Sequence, residues 1–196
     1  LSASEYWVAP EGDDRLDGQS RQNAWASPSR GQPTRVNETV TRGSPKLPVY
    51  STEGFLDSGR LRVGKHTVAY VAKTERSFVL AKPWPENTAA FARVYDANLL
   101  GDRSFAPGDV ILLAGGQWVD RPLNFCQPGT ADRPITYRPA PGHRPRLVST
   151  RYNRSPVRHL GSLRSPLTTH VVLSGLEIRN AADGNPGAPG LAPIGL

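Results

Sequence analysis

The sequence predicts an all-β protein in which short strands stack as a solenoid. Residues 105–180 contain three short runs of apolar or β-branched residues, and glycine, proline or polar turns end each run. The 19 glycines and 19 prolines disfavour helices and favour short strands joined by turns. No window approaches the roughly 18 consecutive apolar residues that a membrane-spanning helix needs. We therefore expect strands and turns throughout, and no membrane insertion.

The opening segment is predicted to supply one strand and a buried anchor. Tyr6–Pro10 has the composition of a strand, and Trp25 is the expected anchor. Three aspartates between them, Asp13, Asp14 and Asp17, resemble a calcium loop only in part, because the closing glutamate of an EF-hand is missing. A solvated turn is the favoured interpretation of this loop.

The middle of the chain is predicted to form a three-stranded meander. Alternating residues favour strands at Arg60–Val63, Thr67–Ala72 and Ser77–Leu80, with tight turns between them. Residues 32–48 are polar and rich in proline and threonine, which is typical of a linker or a draped loop.

This meander resembles small β modules of phage tail and bacterial surface proteins. The matching residues are Phe55, Gly59, Leu61, Val63, Val68, Tyr70 and Phe78. The resemblance implies an inserted interaction or spacer unit without chemistry of its own. The alternative is a local hairpin that belongs to the main domain.

After the meander, strands are expected at Val110–Ala114, Pro134–Arg138 and Val171–Leu173, followed by the strand GLEIRN. Uniformly apolar strands of this kind are buried on both sides or face a solenoid core.

The segments YWVAPEGDDRLDGQS, PGDVILLAGGQWVDRPLNF, PGTADRPITYRPAPGHRPRL and HVVLSGLEIRN resemble, in order, the N-terminal part of right-handed parallel β-helix proteins of the pectate lyase-like superfamily. The resemblance implies a strand, cap and linker in residues 1–49, an inserted meander in 50–98 and the first coils of the β-helix in 99–196. The superfamily includes polysaccharide lyases, hydrolases, epimerases and phage tailspikes, so the fold does not define the function.

The last predicted coil leaves an apolar strand edge that needs a cover. Each solenoid repeat contacts mainly its neighbours and requires a cap at an exposed end, and an uncharged strand edge is a template for association. The residues expected at this edge are Leu176, Ile178, Leu191, Ile194 and Leu196. We predict that downstream coils or another subunit cover this face, and that subunits with complementary ends would stack into a filament.

The catalytic groups of the superfamily have no visible counterpart in this sequence. Lyases of the superfamily use an Arg or Lys base with calcium held by acids, but the acids of the solenoid part are scattered without paired spacing. The four histidines share no metal-ligand spacing. No catalytic or metal-binding residue is therefore predicted, and calcium is expected only if later coils are lyase-like.

One strongly basic span is the candidate binding surface. The formal charge of the chain is +7, and residues 133–164 contain no Asp or Glu. The eight arginines of this span are Arg133, Arg138, Arg144, Arg146, Arg151, Arg154, Arg158 and Arg164. Its prolines favour a loop excursion between coils. The alternatives are a solvated basic surface, contact with an acidic polysaccharide or an acidic subunit, and, least favoured, contact with nucleic acid.

The chain ends and the single cysteine bear on its cellular location. The sequence begins at Leu1 without any methionine, so we expect a processed or trimmed piece. Ser2, Ala3 and Ser4 suit the cleavage site of an export signal, with an arbitrary boundary as the alternative. Cys126 excludes an internal disulfide, and its apolar run LNFC favours a buried small hydrophobe over a reactive thiol.

Together these observations predict an exported or surface-exposed β-helix scaffold that acts in assembly or in contact with an acidic glycan, with no catalytic site of its own. The first alternative is the non-catalytic N-terminal part of a secreted polysaccharide lyase. The second is a component of a phage tailspike or tail appendage.

Overall fold

The computed structural model describes residues 3–99, 104–151, 154–160 and 170–180. These residues form fifteen strands and no helix. The strands are β1 (Glu5–Val8), β2 (Thr34–Arg35), β3 (Lys46–Pro48), β4 (Gly59–Val63), β5 (His66–Thr74), β6 (Ser77–Leu80), β7 (Arg93–Asp96), β8 (Val110–Leu113), β9 (Gly116–Val119), β10 (Leu123–Phe125), β11 (Ile135–Pro139), β12 (Pro145–Ser149), β13 (Val157–His159), β14 (Val171–Leu173) and β15 (Glu177–Asn180).

Three of the sheets are parallel, and the chain visits them in a fixed sequence. The first parallel sheet has the order β1-β8-β11-β14, the second has β9-β12-β15, and the third has β10-β13. After β8, β9 and β10 the chain returns to the first sheet and repeats the circuit with β11, β12 and β13. The strands β14 and β15 begin the same circuit again. Each circuit therefore pairs with the one before it.

The strand register aligns apolar side chains in columns across these sheets. In the first sheet the aligned residues are Tyr6, Ile111, Tyr137 and Leu173; in the second they are Trp118, Leu147 and Ile178; in the third they are Leu123 and Val157. All of them except Ile178 belong to or pack against one apolar cluster. Period-2 alternation points these positions to one face, and the opposite positions carry polar side chains such as Gln117, Arg146 and Glu177.

The structure confirms the strands expected for the three apolar runs and corrects the interpretation of the arginine-rich span. Val171–Leu173 agrees with its prediction, and β1, β8 and β11 lie within a residue or two of theirs. The predicted loop excursion in 133–164 is wrong, because it contains β12 and β13 in addition to β11. Arg146 occupies an exposed outward position of β12 and Arg158 a half-buried position of β13, so both arginines are accommodated without breaking the pairing.

The antiparallel sheet has six strands in the order β2-β7-β4-β5-β6-β3 and encloses a second apolar cluster. The predicted meander forms its centre as β4, β5 and β6. Residues 32–48, predicted as a linker or draped loop, contribute the edge strands β2 and β3. These strands are too short to show a period. The segment boundaries 1–49, 50–98 and 99–196 remain a prediction.

Buried polar contacts join the antiparallel sheet to the parallel sheets and to the N-terminal segment. Arg30 donates from Nη1 to the Gly54 carbonyl at 2.7 Å and to the Asp96 carboxylate at 2.5 Å, and both charged side chains are buried. The side-chain amide of Asn124 on β10 donates to the Ser51 hydroxyl at 3.0 Å. Because buried polar groups are costly when unpaired, these bonds fix how the sheets meet.

Two single-residue predictions are confirmed. Trp25 is fully buried and stacks on Tyr6, with ring centroids 5.1 Å apart. Cys126 is fully buried, its thiol lies 3.0 Å from the Pro33 carbonyl oxygen, and burial raises the pKa of the thiol to about 11. At neutral pH the residue is therefore a protonated, buried small side chain.

Candidate functional sites: an uncovered strand end and an arginine-lined groove

The parallel sheets have two unlike ends, and the first is closed by the N-terminal segment. Strand β1 pairs along β8, and the buried Asp109 carboxylate accepts hydrogen bonds from the amides of Ser4 at 2.9 Å and Ala106 at 2.8 Å. These bonds satisfy the turn before β8. Strand β8 therefore has its edge on this side occupied by β1.

Residues 26–33 form hydrogen bonds with the other two parallel sheets at the same end. Trp118 of β9 donates its indole N–H to the Ala26 carbonyl at 2.8 Å. The backbone amide of Asn124 on β10 donates to the Ser29 hydroxyl at 2.8 Å. The Gln32 side-chain oxygen accepts from the backbone amides of Cys126 and Gln127 at 3.2 Å and 3.1 Å. Polar groups along the edge of β10 thus find side-chain partners instead of a further strand.

The opposite end, which we call the open end, is formed by β14 and β15. In the second parallel sheet the core column runs from Trp118, which is 1% exposed, through Leu147, which is 0% exposed, to Ile178, which is 47% exposed. Leu176 is half-buried against the core cluster. Among the described residues no strand pairs beside Ile178 as β15 pairs beside Leu147. Leu191, Ile194 and Leu196, also expected at this edge, lie outside the described residues.

The second candidate is a groove of about 360 Å³ between the antiparallel sheet and the parallel sheets. We call it the junction groove. It is lined by Tyr50–Glu53, Asp57, Lys73–Arg76, Asp120, Pro122, Val148, Ser149, Arg151, Arg154–Pro156 and Arg158, with polar and charged side chains predominating. The turn between β5 and β6 forms one wall, and residues that follow β12 form the other.

The predicted arginines do not form one surface. Arg138 and Arg146 lie on exposed positions of β11 and β12 and pair with Glu5 at 3.4 Å and Glu177 at 2.8 Å. Arg144 is exposed in the turn between these strands.

The remaining arginines of the predicted span lie elsewhere. Arg133 is half-buried and lies against Gly108. Arg164 lies outside the described residues. Only Arg151, Arg154 and Arg158 are brought together, all in the junction groove.

Glu75 joins the two walls of the junction groove. It accepts hydrogen bonds from Arg151 at 2.9 Å and from Arg154 at 3.1 Å. Both bonds lower the pKa of the Glu75 carboxyl. Glu75, Arg76 and Lys73 were missed in the sequence, since no local signal connects the turn at 73–76 with arginines that follow it by more than 70 residues.

The other groove carboxylates also have partners. Asp120 accepts from the Thr150 amide at 2.9 Å and from its hydroxyl at 2.6 Å, which lowers the pKa of the Asp120 carboxyl. Glu53 accepts from the Ser27 hydroxyl at 2.9 Å. Asp57 lies 3.7 Å from the Lys73 ammonium. The acids of the groove are therefore all engaged within the chain.

The aspartate loop near the N-terminus uses its carboxylates as local acceptors. Asp13 pairs with Arg15, which lowers the pKa of Asp13 to about 2. Asp14 accepts from the amides of Ala26 and Ser27 at 2.8 Å each.

Within the described residues no cluster of three or more His, Cys, Asp or Glu side chains is placed to hold a metal ion. The same residues contain no helix of the length and apolarity needed to cross a membrane.

Comparison with known proteins gives a distant likeness to a solved structure. No protein-family model matches the chain, and no curated protein matches it. Among solved structures it is similar to the tailspike protein gp49 from Pseudomonas phage LKA1, with 10% sequence identity, a TM-score of 0.26 and 91% of this chain covered. The chain spans 34% of that tailspike chain. A TM-score this low does not establish a shared fold.

Proposed function

We propose that the chain is the N-terminal cap and the first coils of a right-handed parallel β-helix, and that it acts as a scaffold whose open end is completed by further coils or by another subunit. The repeated circuit through three parallel sheets supports the β-helix, because successive coils of that fold pair strand by strand. Residues 3–33 then act as the cap, and the antiparallel sheet is an insertion between β1 and β8.

The difference between the two ends carries this proposal. At the capped end β1 pairs with β8, and residues 26–33 bond the Trp118 indole of β9 and backbone amides of and after β10. At the open end the core column of the second parallel sheet terminates in Ile178, which is 47% exposed. Burying an isoleucine side chain contributes about 1.5–3 kcal/mol, so a partner that extends the column gains stability there.

The geometry favours a closed pair of subunits over a filament. Head-to-tail stacking would require the open end of one copy to pair with β9 and β10 of the next, where residues 26–33 already bond the Trp118 indole and the Asn124 backbone amide. Two open ends that meet each other form a closed, two-fold contact. Where further coils follow in the same protein, they take the place of the second subunit.

The proposal also includes export to the cell surface and contact with an acidic glycan. The lyase and tailspike alternatives both place the same capped scaffold at the start of a longer β-helix. They differ in the coils that follow, and calcium is expected only in the lyase alternative.

The oligomeric state of the purified chain tests the proposal. We expect light scattering coupled to size-exclusion chromatography to show a concentration-dependent dimer, and Ile178→Asp to convert it to a monomer. Val119→Asp is the matched control, because Val119 is 48% exposed on β9 of the same sheet, at the capped end. A wild-type chain that is folded by circular dichroism and monomeric at all concentrations contradicts the proposal.

A further inference from the structure

Arg158 occupies an unusual position in the junction groove. It lies on β13, aligned with Asn124 of β10, and its side chain is half-buried. Its Nε donates to the Ser155 carbonyl at 2.9 Å. Among the described residues no carboxylate lies within ion-pair distance of the Arg158 guanidinium, so its terminal nitrogens keep donors available to the groove.

The neighbours of Arg158 add positive charge. Burial and, next, the charges of Arg154 and Arg76 lower the pKa of the Arg158 guanidinium, and these effects outweigh the opposing effects of Glu75 and Glu53. Arg76 is exposed and has no ion pair within the described part of the chain. Partly buried like charges raise the free energy of one another, and an anion placed between them relieves that repulsion.

The carboxylates of the groove do not supply this anion. Glu75 is shared by Arg151 and Arg154, Asp57 lies beside Lys73, and Asp120 is held by Thr150. Glu53 is bonded to Ser27 and lies 3.6 Å from Arg121. The positive charge of Arg158 and Arg76 is therefore left without a counterion from the described residues that line the groove.

We propose that the junction groove binds an oxyanion group of a ligand, namely a carboxylate, a sulfate or a phosphate, through Arg158 with Arg154 and Arg76 beside it. The planar guanidinium donates two parallel N–H groups, which match the spacing of two oxygens in each of these anions. The volume of about 360 Å³ is within the range of small-molecule sites.

The lining suggests how the rest of a ligand would be held. Ser149, Ser155 and Thr52 line the groove beside the arginines, and the buried prolines Pro122 and Pro156 add apolar side chains to the lining. A polar ligand that carries one oxyanion fits this chemistry. The site is independent of the open end, and it does not require the assembly proposed above.

Titration of the purified chain with simple anions tests the site. Sodium sulfate, phosphate and acetate are compared with sodium chloride at equal ionic strength, and the thermal midpoint and the heat of binding are measured. We expect at least one oxyanion to raise the midpoint of the wild-type chain saturably, whereas chloride does not. The anion that binds most tightly identifies the group the site prefers.

Variants locate the binding. Arg158→Gln is expected to weaken binding of that anion about tenfold, which corresponds to about 1.4 kcal/mol, and Arg76→Gln to weaken it less. Arg144→Gln is the matched control, since Arg144 is exposed on a turn outside the groove. We expect it to bind like the wild-type chain.

Nuclear magnetic resonance of the arginine Nε–H groups keeps the test valid if Arg158→Gln does not fold. We expect the Arg158 resonance of the wild-type chain to shift with the anion and the Arg144 resonance to stay in place.

If acetate binds, glucuronate and N-acetylglutamate amide distinguish a sugar-borne from a peptide-borne carboxylate. Equal midpoints in oxyanion and chloride, or saturable binding with no shift of Arg158, would overturn the proposal.

Discussion

Gln32 donates from its side-chain nitrogen to the hydroxyl of Tyr137 at 2.7 Å, and both residues are buried. The oxygen of the same amide accepts from the backbone of Cys126 and Gln127. One side chain of the N-terminal segment thus bonds β11 in the second circuit and the end of β10 in the first. Burial raises the pKa of Tyr137 far above its ordinary value, so the phenol stays protonated.

Tyr137→Phe tests this bond. The change keeps the ring in the core and leaves a buried donor on Gln32 without its acceptor, which costs about 1–3 kcal/mol. Urea unfolding measures the loss. Tyr50→Phe is the control, because the Tyr50 hydroxyl makes no hydrogen bond within the described residues, and we expect a change below about 0.5 kcal/mol. Equal losses in the two variants would show that the bond to Gln32 contributes nothing.

Two ion pairs of equal length allow the effect of burial to be measured. Arg30–Asp96 and Arg15–Asp13 both have N–O distances of 2.5 Å, but the side chains of the first pair are 2% and 7% exposed and those of the second 78% and 36%. Arg30→Met leaves Asp96 charged and buried, so we expect a loss of about 3–5 kcal/mol in the free energy of unfolding. Arg15→Met is expected to be indistinguishable from the wild-type chain. A small effect of Arg30→Met would mean that water reaches Asp96.

The Glu75 bridge makes stability depend on pH. Its hydrogen bonds to Arg151 and Arg154 lower the pKa of Glu75 from its ordinary value of 4.5. The bridge therefore stabilises the fold above about pH 4.5, and this contribution is lost as the pH falls through the lowered pKa. Because Glu75 is exposed, we expect Glu75→Gln to cost at most about 1 kcal/mol at neutral pH.

The difference in unfolding free energy between Glu75→Gln and the wild-type chain should disappear in acid. This difference is measured from unfolding free energies at low ionic strength between about pH 3 and pH 7, the range in which carboxylates titrate. Glu38→Gln, on an exposed loop, is the control and should show no such convergence. A constant difference at all pH values would assign the effect of Glu75 to packing.

Cys126 provides a probe of opening between β10 and the N-terminal segment. Its thiol is buried beside the Pro33 carbonyl, and its pKa is raised to about 11. We expect no labelling by a thiol reagent at neutral pH under native conditions, and full labelling in urea, with the rate following the unfolded fraction. Rapid labelling of the folded chain would contradict the described burial.

The apolar strands were predictable from the sequence because each is a short run of apolar residues that ends at a glycine, a proline or a polar turn. Strands β12 and β13 were not, since PRLVS and VRH place arginine and proline at or beside outward positions and resemble loops. Their pattern becomes visible only when Leu147 is aligned with Trp118 and Val157 with Leu123, and that alignment requires the register.

The candidate sites depended on partners that the sequence could not connect. The arginine span was recognised from composition, but Glu75, which neutralises Arg151 and Arg154, comes from a turn in another sheet. Gln32 carries no motif at all, and its role follows from burial and from three simultaneous hydrogen bonds. Ile178 lies on the last described strand of the second parallel sheet, and its exposure becomes visible only through the register that aligns it with Leu147.

The pairing of β1 with β8 also sets an order of events during folding. Ser4 and Asp109 are bonded across 105 residues, so β1 leaves the ribosome long before its partner strand exists. Within that interval β4, β5 and β6 pair with neighbours in sequence, and β2 pairs with β7. Closing those local pairs first brings residues 34 and 94 together and shortens the free chain that β1 must close. The antiparallel sheet thereby lowers the entropic cost of attaching the cap and should form before it.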